Sequence, residues 1–156
     1  MHPWLILQLL ILLMLANGTP VVAKKVLGER FACPLDRGVE FVDGRPLFGR
    51  SKTIRGVLLA VLVTMAGAPL IGLRWQVGFL VGSLAMVGDL VSSFLKRRMA
   101  LPPSSRASGL DQVPEALIPL LVCRMADIGA AAALFFIGEV LLSRVLYAFR
   151  LRDRPY

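Results

Sequence analysis

Asp89 lies within a largely apolar run from Trp75 to Leu95, and a carboxylate at membrane depth is costly enough to need a function or a partner. Ser93, Lys96 and Arg97 follow it at four, seven and eight residues. At helical spacing these four share one face, with Asp89 about 10 Å below Lys96. A carboxylate, a hydroxyl and two cations on one surface can hold a metal ion, a polyphosphate, or both. The competing reading is structural: Asp89 pairs with a neighbouring Lys or Arg, and Lys96 to Arg98 simply end a span. Asp111 and, four residues on, Glu115 form a second acidic face. Two or three carboxylates at one depth beside a basic loop suit Mg²⁺, which takes hard oxygen ligands and keeps waters and substrate phosphates in its shell. The plain alternative for Asp111 is a helix N-cap.

A second group is basic. The segment Asp43-Gly-Arg-Pro-Leu-Phe-Gly-Arg-Ser-Lys-Thr-Ile-Arg55 looks like a P-loop, but two residues separate Gly49 from Lys52-Thr53 and no strand precedes it. It fails as a Walker A motif. The physics survives the failed motif. Arg50, Lys52, Thr53 and Arg55 stand at the start of an apolar helix, where free amides and the helix dipole attract anions. A phosphate site is expected here, against the alternative of a solvated basic loop. Asn17-Gly-Thr-Pro20 is expected to interrupt the first apolar helix, which a bilayer tolerates where the freed backbone is covered or lines a cavity; a helix end before Lys24-Lys25 is the other reading. His2 is the one histidine, which excludes a His-centred triad and a His-rich metal site. Cys33 and Cys123 form no CxxC pair.

These groups must be positioned by a membrane protein. Of 156 residues, 56% are apolar and 18% charged, with mean hydropathy +0.71, whereas a soluble domain is about a quarter charged. The length fits a single domain, residues 1–156. The net charge of +8 points to basic loops that meet phosphate or membrane lipids, and no nucleic-acid partner is expected. Apolar stretches cover about residues 4–22, 56–73, 75–95 and 128–149, with a shorter one at 112–123 that contains Pro114 and Pro119. A span needs about 20 residues. The first stretch lacks a basic n-region and a clean cleavage site, so it reads as an uncleaved span and not a signal peptide. Residues 24–55 hold eight basic residues and 96–106 hold four, and Arg150, Arg152 and Arg154 close the chain.

Basic loops stay cytoplasmic. The first two basic stretches flank spans two and three, and the tail joins their side only if 112–123 crosses. The expected architecture is therefore an all-α, polytopic membrane helix bundle of about five transmembrane helices. Its N-terminus is outside, loops 24–55 and 96–111 are cytoplasmic, and the site faces the cytoplasm across the cell membrane. Cys33 and Cys123 then fall on opposite sides, too far apart for a disulfide. Gly78-x-x-x-Gly82 and Ala130 to Ala133 read as helix-packing stripes, and Glu139 as an interhelical polar contact.

Taken in order, three motifs resemble the CDP-archaeol synthase family, within the wider group of CTP-dependent phosphatidate cytidylyltransferases. They are Asn17-Gly-Thr-Pro20; Phe41-Val-Asp-Gly-Arg-Pro-Leu-Phe-Gly49 with Lys52-Thr53-x-Arg55-Gly56; and Gly88-Asp89-Leu-Val-Ser-Ser-Phe-Leu-Lys-Arg-Arg98 followed by Leu110-Asp111-Gln112. The likeness covers about residues 15–125. It implies an enzyme that joins CTP to a phosphorylated lipid acceptor, giving a CDP-lipid and pyrophosphate, with Mg²⁺. Carried over, it makes Asp89 and Asp111 the metal ligands and Lys52, Thr53 and Arg55 a phosphate cradle. Lys96 and Arg97 neutralise phosphate, and Asn17, Asp43, Ser93 and Gln112 border the nucleotide. The family pattern places an acidic residue where this chain has Pro114, so Glu115 is the candidate third carboxylate. The rival is a non-catalytic membrane protein that binds anionic lipid through its basic loops. Such a scaffold has no use for Asp89 and Asp111 at one depth.

Overall fold

The computed structural model describes residues 3–100, together with Ile137, Val140, Leu141, Arg144 and Tyr147. Three helices make up most of it: α1 (Pro3–Leu27), α2 (Ile54–Leu70) and α3 (Trp75–Arg98). The 71–74 turn that joins α2 to α3 lies beside the start of α1, where Gln8 Nε2 donates to the Ile71 carbonyl at 2.5 Å. The long connection over residues 28–53 lies at the other end, against the end of α3. The basic connection and Lys96 to Arg98 therefore share one end of an antiparallel bundle, in line with the charge pattern.

Three boundaries differ from expectation. Asn17-Gly-Thr-Pro20 does not interrupt α1, which runs unbroken past Pro20. Proline withdraws one amide from the ladder, yet the Thr19 hydroxyl donates to the Leu15 carbonyl at 2.6 Å. Pro20 also packs against the start of α2, where a Cβ on Gly56 would lie 3.4 Å from its own. Packing overrides local propensity here. The second helix covers 17 residues, starting two earlier and stopping three earlier than the apolar stretch 56–73. Thr53 caps its start, while Pro69 and Gly72 (φ 81°) end it. The third continues past Leu95 through Lys96, Arg97 and Arg98, cations suited to the negative end of a helix dipole.

Each helix touches the other two. The core joins Leu9, Leu12, Leu13 and Ala16 of α1 to Ala60 and Ala68 of α2 and to Val81, Ala85 and Met86 of α3. Contact between α2 and α3 is closest at Gly78 and Gly82, where a Cβ would overlap Thr64. The buried Thr64 hydroxyl is satisfied within its own helix, donating to the Ala60 carbonyl at 2.8 Å. Leu58, Leu62, Phe79, Leu80, Val87 and Val91 face outward, an apolar girdle of the kind that meets lipid. Both α1 and α3 carry 24-residue stretches long and apolar enough to cross a membrane, and α2 is a shorter apolar helix. The five positions described beyond residue 100 are helical and fall within the expected span 128–149. The expected crossing at 112–123, together with Asp111, Gln112, Glu115, Cys123, Ala130 to Ala133 and Glu139, lies outside the described residues.

Candidate active site

The site is built on the connection between α1 and α2, and its organiser is a residue that sequence reasoning missed. Asp36 is buried, and all its hydrogen bonds go to backbone. The Gly38 amide donates to Oδ1 at 3.2 Å, and the Phe48 and Gly49 amides donate to Oδ2 at 3.1 and 2.8 Å. Burial alone would raise its pKa, but the Gly49, Phe48 and Gly38 amides outweigh that and hold it below the ordinary value of 3.8. The Asp36-Arg37-Gly38 order is an Asx-turn signature that could have flagged it; the long-range partners had no local signal. Beside Asp36, the Leu35 amide donates to the Lys52 carbonyl at 2.8 Å and the Ile54 amide to the Cys33 carbonyl at 3.1 Å. Residues 33–36 thus form a strut along 48–54.

That strut delivers Lys52 to Asp89. The ammonium nitrogen lies 2.5 Å from both carboxylate oxygens, and the two side chains are 23% and 19% exposed. The four-residue face of α3 is as the spacing requires: Ser93 and Arg97 are buried, while Asp89 and Lys96 are partly buried beside them. Arg97 Nε donates to the Phe48 carbonyl at 3.4 Å. Gly49 (φ 85°) lies flat against the same side chain, and a Cβ there would come within 3.3 Å of Arg97 Nε. Lys52 thus pairs with Asp89, while Arg97 lies two turns further along the same face of α3 against Phe48 and Gly49, and charges so enclosed interact far more strongly than in water. Cations on this face are of the kind that suit a polyphosphate.

Other expected site residues have different occupations. Asp43 pairs with Arg98 and accepts from the Arg45 amide at 3.2 Å. Desolvation works upward on its pKa, but the Arg45 amide and the Arg98 charge hold it below the usual carboxylate range. Arg98 stacks over Phe41 and Phe94, 4.9 Å from each ring centroid, and donates to the Pro46 carbonyl at 2.9 Å. Arg45 returns two bonds to the Arg97 and Arg98 carbonyls. The hairpin that carries Asp43 is thereby latched onto the end of α3. Thr53 is an N-cap, accepting from the Gly56 amide at 3.1 Å. At the start of α2 the Ile54 amide is taken by the Cys33 carbonyl and the Gly56 amide by the Thr53 hydroxyl, so this helix start offers an anion fewer amides than its sequence suggests. Arg55 points to α1, donating to the Gly28 and Arg30 carbonyls; it closes the end of that helix, and the structure does not bring it to Asp89. Asn17 is partly buried in α1, one turn before Pro20. Cys33 is a free, exposed thiol.

Of the three carboxylates expected to hold Mg²⁺, Asp89 is the one within the described residues, and no cluster of three acidic, His or Cys side chains occurs among them. The donor chemistry fits nonetheless. Mg²⁺ is commonly held by one or two carboxylates plus substrate phosphates, and Asp89 has two hard oxygens of the right kind, both held by the Lys52 ammonium in this structure, which an ion would have to displace.

Residues 67–151 match a family model described as CarS-like, CDP-archaeol synthase. The chain is 32% identical over 155 residues to the CDP-archaeol synthase of Sulfurisphaera tokodaii, covering 92% of this chain and 90% of that protein. It is 43% identical over 107 residues to the CDP-archaeol synthase of Pyrococcus furiosus, covering 62% and 60%. A solved structure described as an intramembrane enzyme for archaeal membrane lipids biosynthesis superposes with a TM-score of 0.75 at 30% identity, covering 86% of this chain and 89% of that one.

Proposed function

The chain belongs to the CarS-like CDP-archaeol synthase family and is an integral membrane protein; from that premise we propose that it transfers CMP from CTP to a phosphorylated lipid, releasing pyrophosphate. An oxygen of the lipid phosphate attacks the α-phosphorus of CTP, and the bond from that phosphorus to the β-bridging oxygen breaks. The acceptor is already ionised at neutral pH, so no general base is needed. What the reaction demands is that two anionic partners be neutralised and aligned, and phosphoryl-type transfer relies on positioning and electrostatics.

The observation that carries this reading is that Lys52 reaches the face of α3 that bears Asp89, Ser93, Lys96 and Arg97; the Lys52–Asp89 pair also meets the structural reading of Asp89, and the turnover of D89N separates the two. Lys52, Arg97 and Lys96 neutralise phosphate oxygens, and Ser93 shares their face. Asp89, with Asp111 and Glu115, would hold Mg²⁺, which supplies charge stabilisation for the triphosphate and its leaving group. Thr53 acts by fixing the start of α2, Asp43 by latching its hairpin, and Asn17 and Gln112 border the nucleotide. Five spans with the site facing the cytoplasm complete the reading.

The test is incubation of the purified protein with Mg²⁺, CTP or ATP, and a panel of ether- and ester-linked lipid phosphates, with products weighed by mass spectrometry. A CDP-lipid from CTP alone is expected. Absence of product from every acceptor would leave a protein that merely binds anionic lipid.

A further inference from the structure

We infer that Asp36 is a positioning residue for the cationic half of the site, acting through Phe48 and Gly49 on Arg97; this rests on the reading of Arg97 as a phosphate-neutralising group. The amides that Asp36 holds at 3.1 and 2.8 Å belong to the two residues that touch Arg97. Phe48 offers its carbonyl to Arg97 Nε, and Gly49 lies against the guanidinium group where a Cβ would not fit comfortably. The clamp also reaches the other cation, because the Gly49 carbonyl accepts from the Lys52 amide at 3.1 Å and the Lys52 carbonyl accepts from Leu35. One carboxylate thus sets the register of residues 48–52 against both α3 and the strut.

A charged acceptor suits this task. Hydrogen bonds to an ionised group are roughly twice as strong as neutral ones, and a connection of this length is otherwise the mobile part of a protein. Asp36 is buried among amides, so it gives the loop rigidity without placing its own charge against the nucleotide. Precise placement of binding groups is worth large factors in rate.

The test is a double-mutant cycle on kcat/KM for CTP, using D36A, R97A and D36A/R97A in detergent, with thermal unfolding followed in parallel. D36A should lower kcat/KM by about 10- to 100-fold in the native background, the range seen when a supporting residue is removed. In the R97A background the same change should cost clearly less, because the part of its effect that runs through Arg97 is already gone while the part that runs through Lys52 remains. D36N keeps one oxygen for Phe48 and Gly49 while giving up Gly38, so its kcat/KM should lie between native and D36A. An equal loss in both backgrounds would make Asp36 a folding residue only and overturn the inference. Native kcat/KM for R97A would instead overturn the assignment of Arg97. If D36A does not fold, D36N takes its place in the cycle; if neither folds, the positioning role is rejected.

Discussion

Lys52 and Asp89 pair at 2.5 Å, and on the proposed metal role of Asp89, D89N removes the charge an ion needs while keeping the size of the side chain, at the cost of leaving the Lys52 charge uncompensated. D89N is expected to abolish most CDP-lipid formation, at least 100-fold by analogy with residues that act as a unit, and D89N/K52M should be little worse than D89N. Near-normal turnover of D89N with unchanged Mg²⁺ dependence would return Asp89 to a structural ion-pair role. A second prediction at this scale follows from Asp36, whose folded-state pKa lies below its ordinary value of 3.8. A depressed carboxyl pKa stabilises the fold fully above the unfolded value, and that stabilisation is lost as pH falls through the folded one. Native protein should therefore lose thermal stability as pH drops below about 4. D36N should be less stable at neutral pH and show a flatter acid limb; parallel limbs would contradict the burial and bonding of this carboxyl.

Among the elements, α2 and α3 approach most closely at Gly78, where a Cβ would meet Thr64 and Ala68. G78A should destabilise the bundle by about 1–3 kcal/mol, the usual cost of overpacking, seen as a lower midpoint of thermal unfolding in detergent. An unchanged midpoint would mean that the helices part easily here. The same elements show what could be read in the sequence. Hydropathy located α1 and α3, and i, i+4, i+7, i+8 spacing placed Asp89, Ser93, Lys96 and Arg97 on one face, because helical periodicity is local and needs no tertiary information. Asn17 to Pro20 misled, since a turn-like tetrad stays helical when Pro20 has Gly56 to pack against. Lys52 was legible as a cation near a helix start, but not its arrival at Asp89, which depends on a loop folded by Asp36 across 13 residues. Thr53 and Arg55 show the same limit: residue type pointed to an anion site, but could not show that Thr53 caps its own helix and that Arg55 reaches the Gly28 and Arg30 carbonyls.

At the level of the whole molecule, the basic connection over residues 28–53 covers the end of α3, so its cations and Lys96 to Arg98 gather at one end of the bundle. By the positive-inside rule, that end is the one proposed to face the cytoplasm. Cys33 is exposed in that region and reports on it: an impermeant thiol reagent should modify it in inverted vesicles and leave it untouched in intact cells. Modification from outside would reverse the orientation and, with it, the source of CTP.

The shortness of α2 has a mechanical consequence for the surrounding lipid. Its 17 residues measure about 25 Å, less than the roughly 30 Å of hydrocarbon in an average bilayer, and its neighbours on either side are longer. Lipids beside α2 must thin or tilt to match it, at a fraction of a kcal/mol per Å of mismatch. Such thinning would draw phosphate headgroups toward Lys52, so an acceptor lipid could meet the site without first leaving its leaflet. In vesicles of graded acyl length, turnover at fixed acceptor density should peak in the thinner bilayers and decline as they thicken. A profile independent of thickness would mean that α2 does not shape the membrane around it.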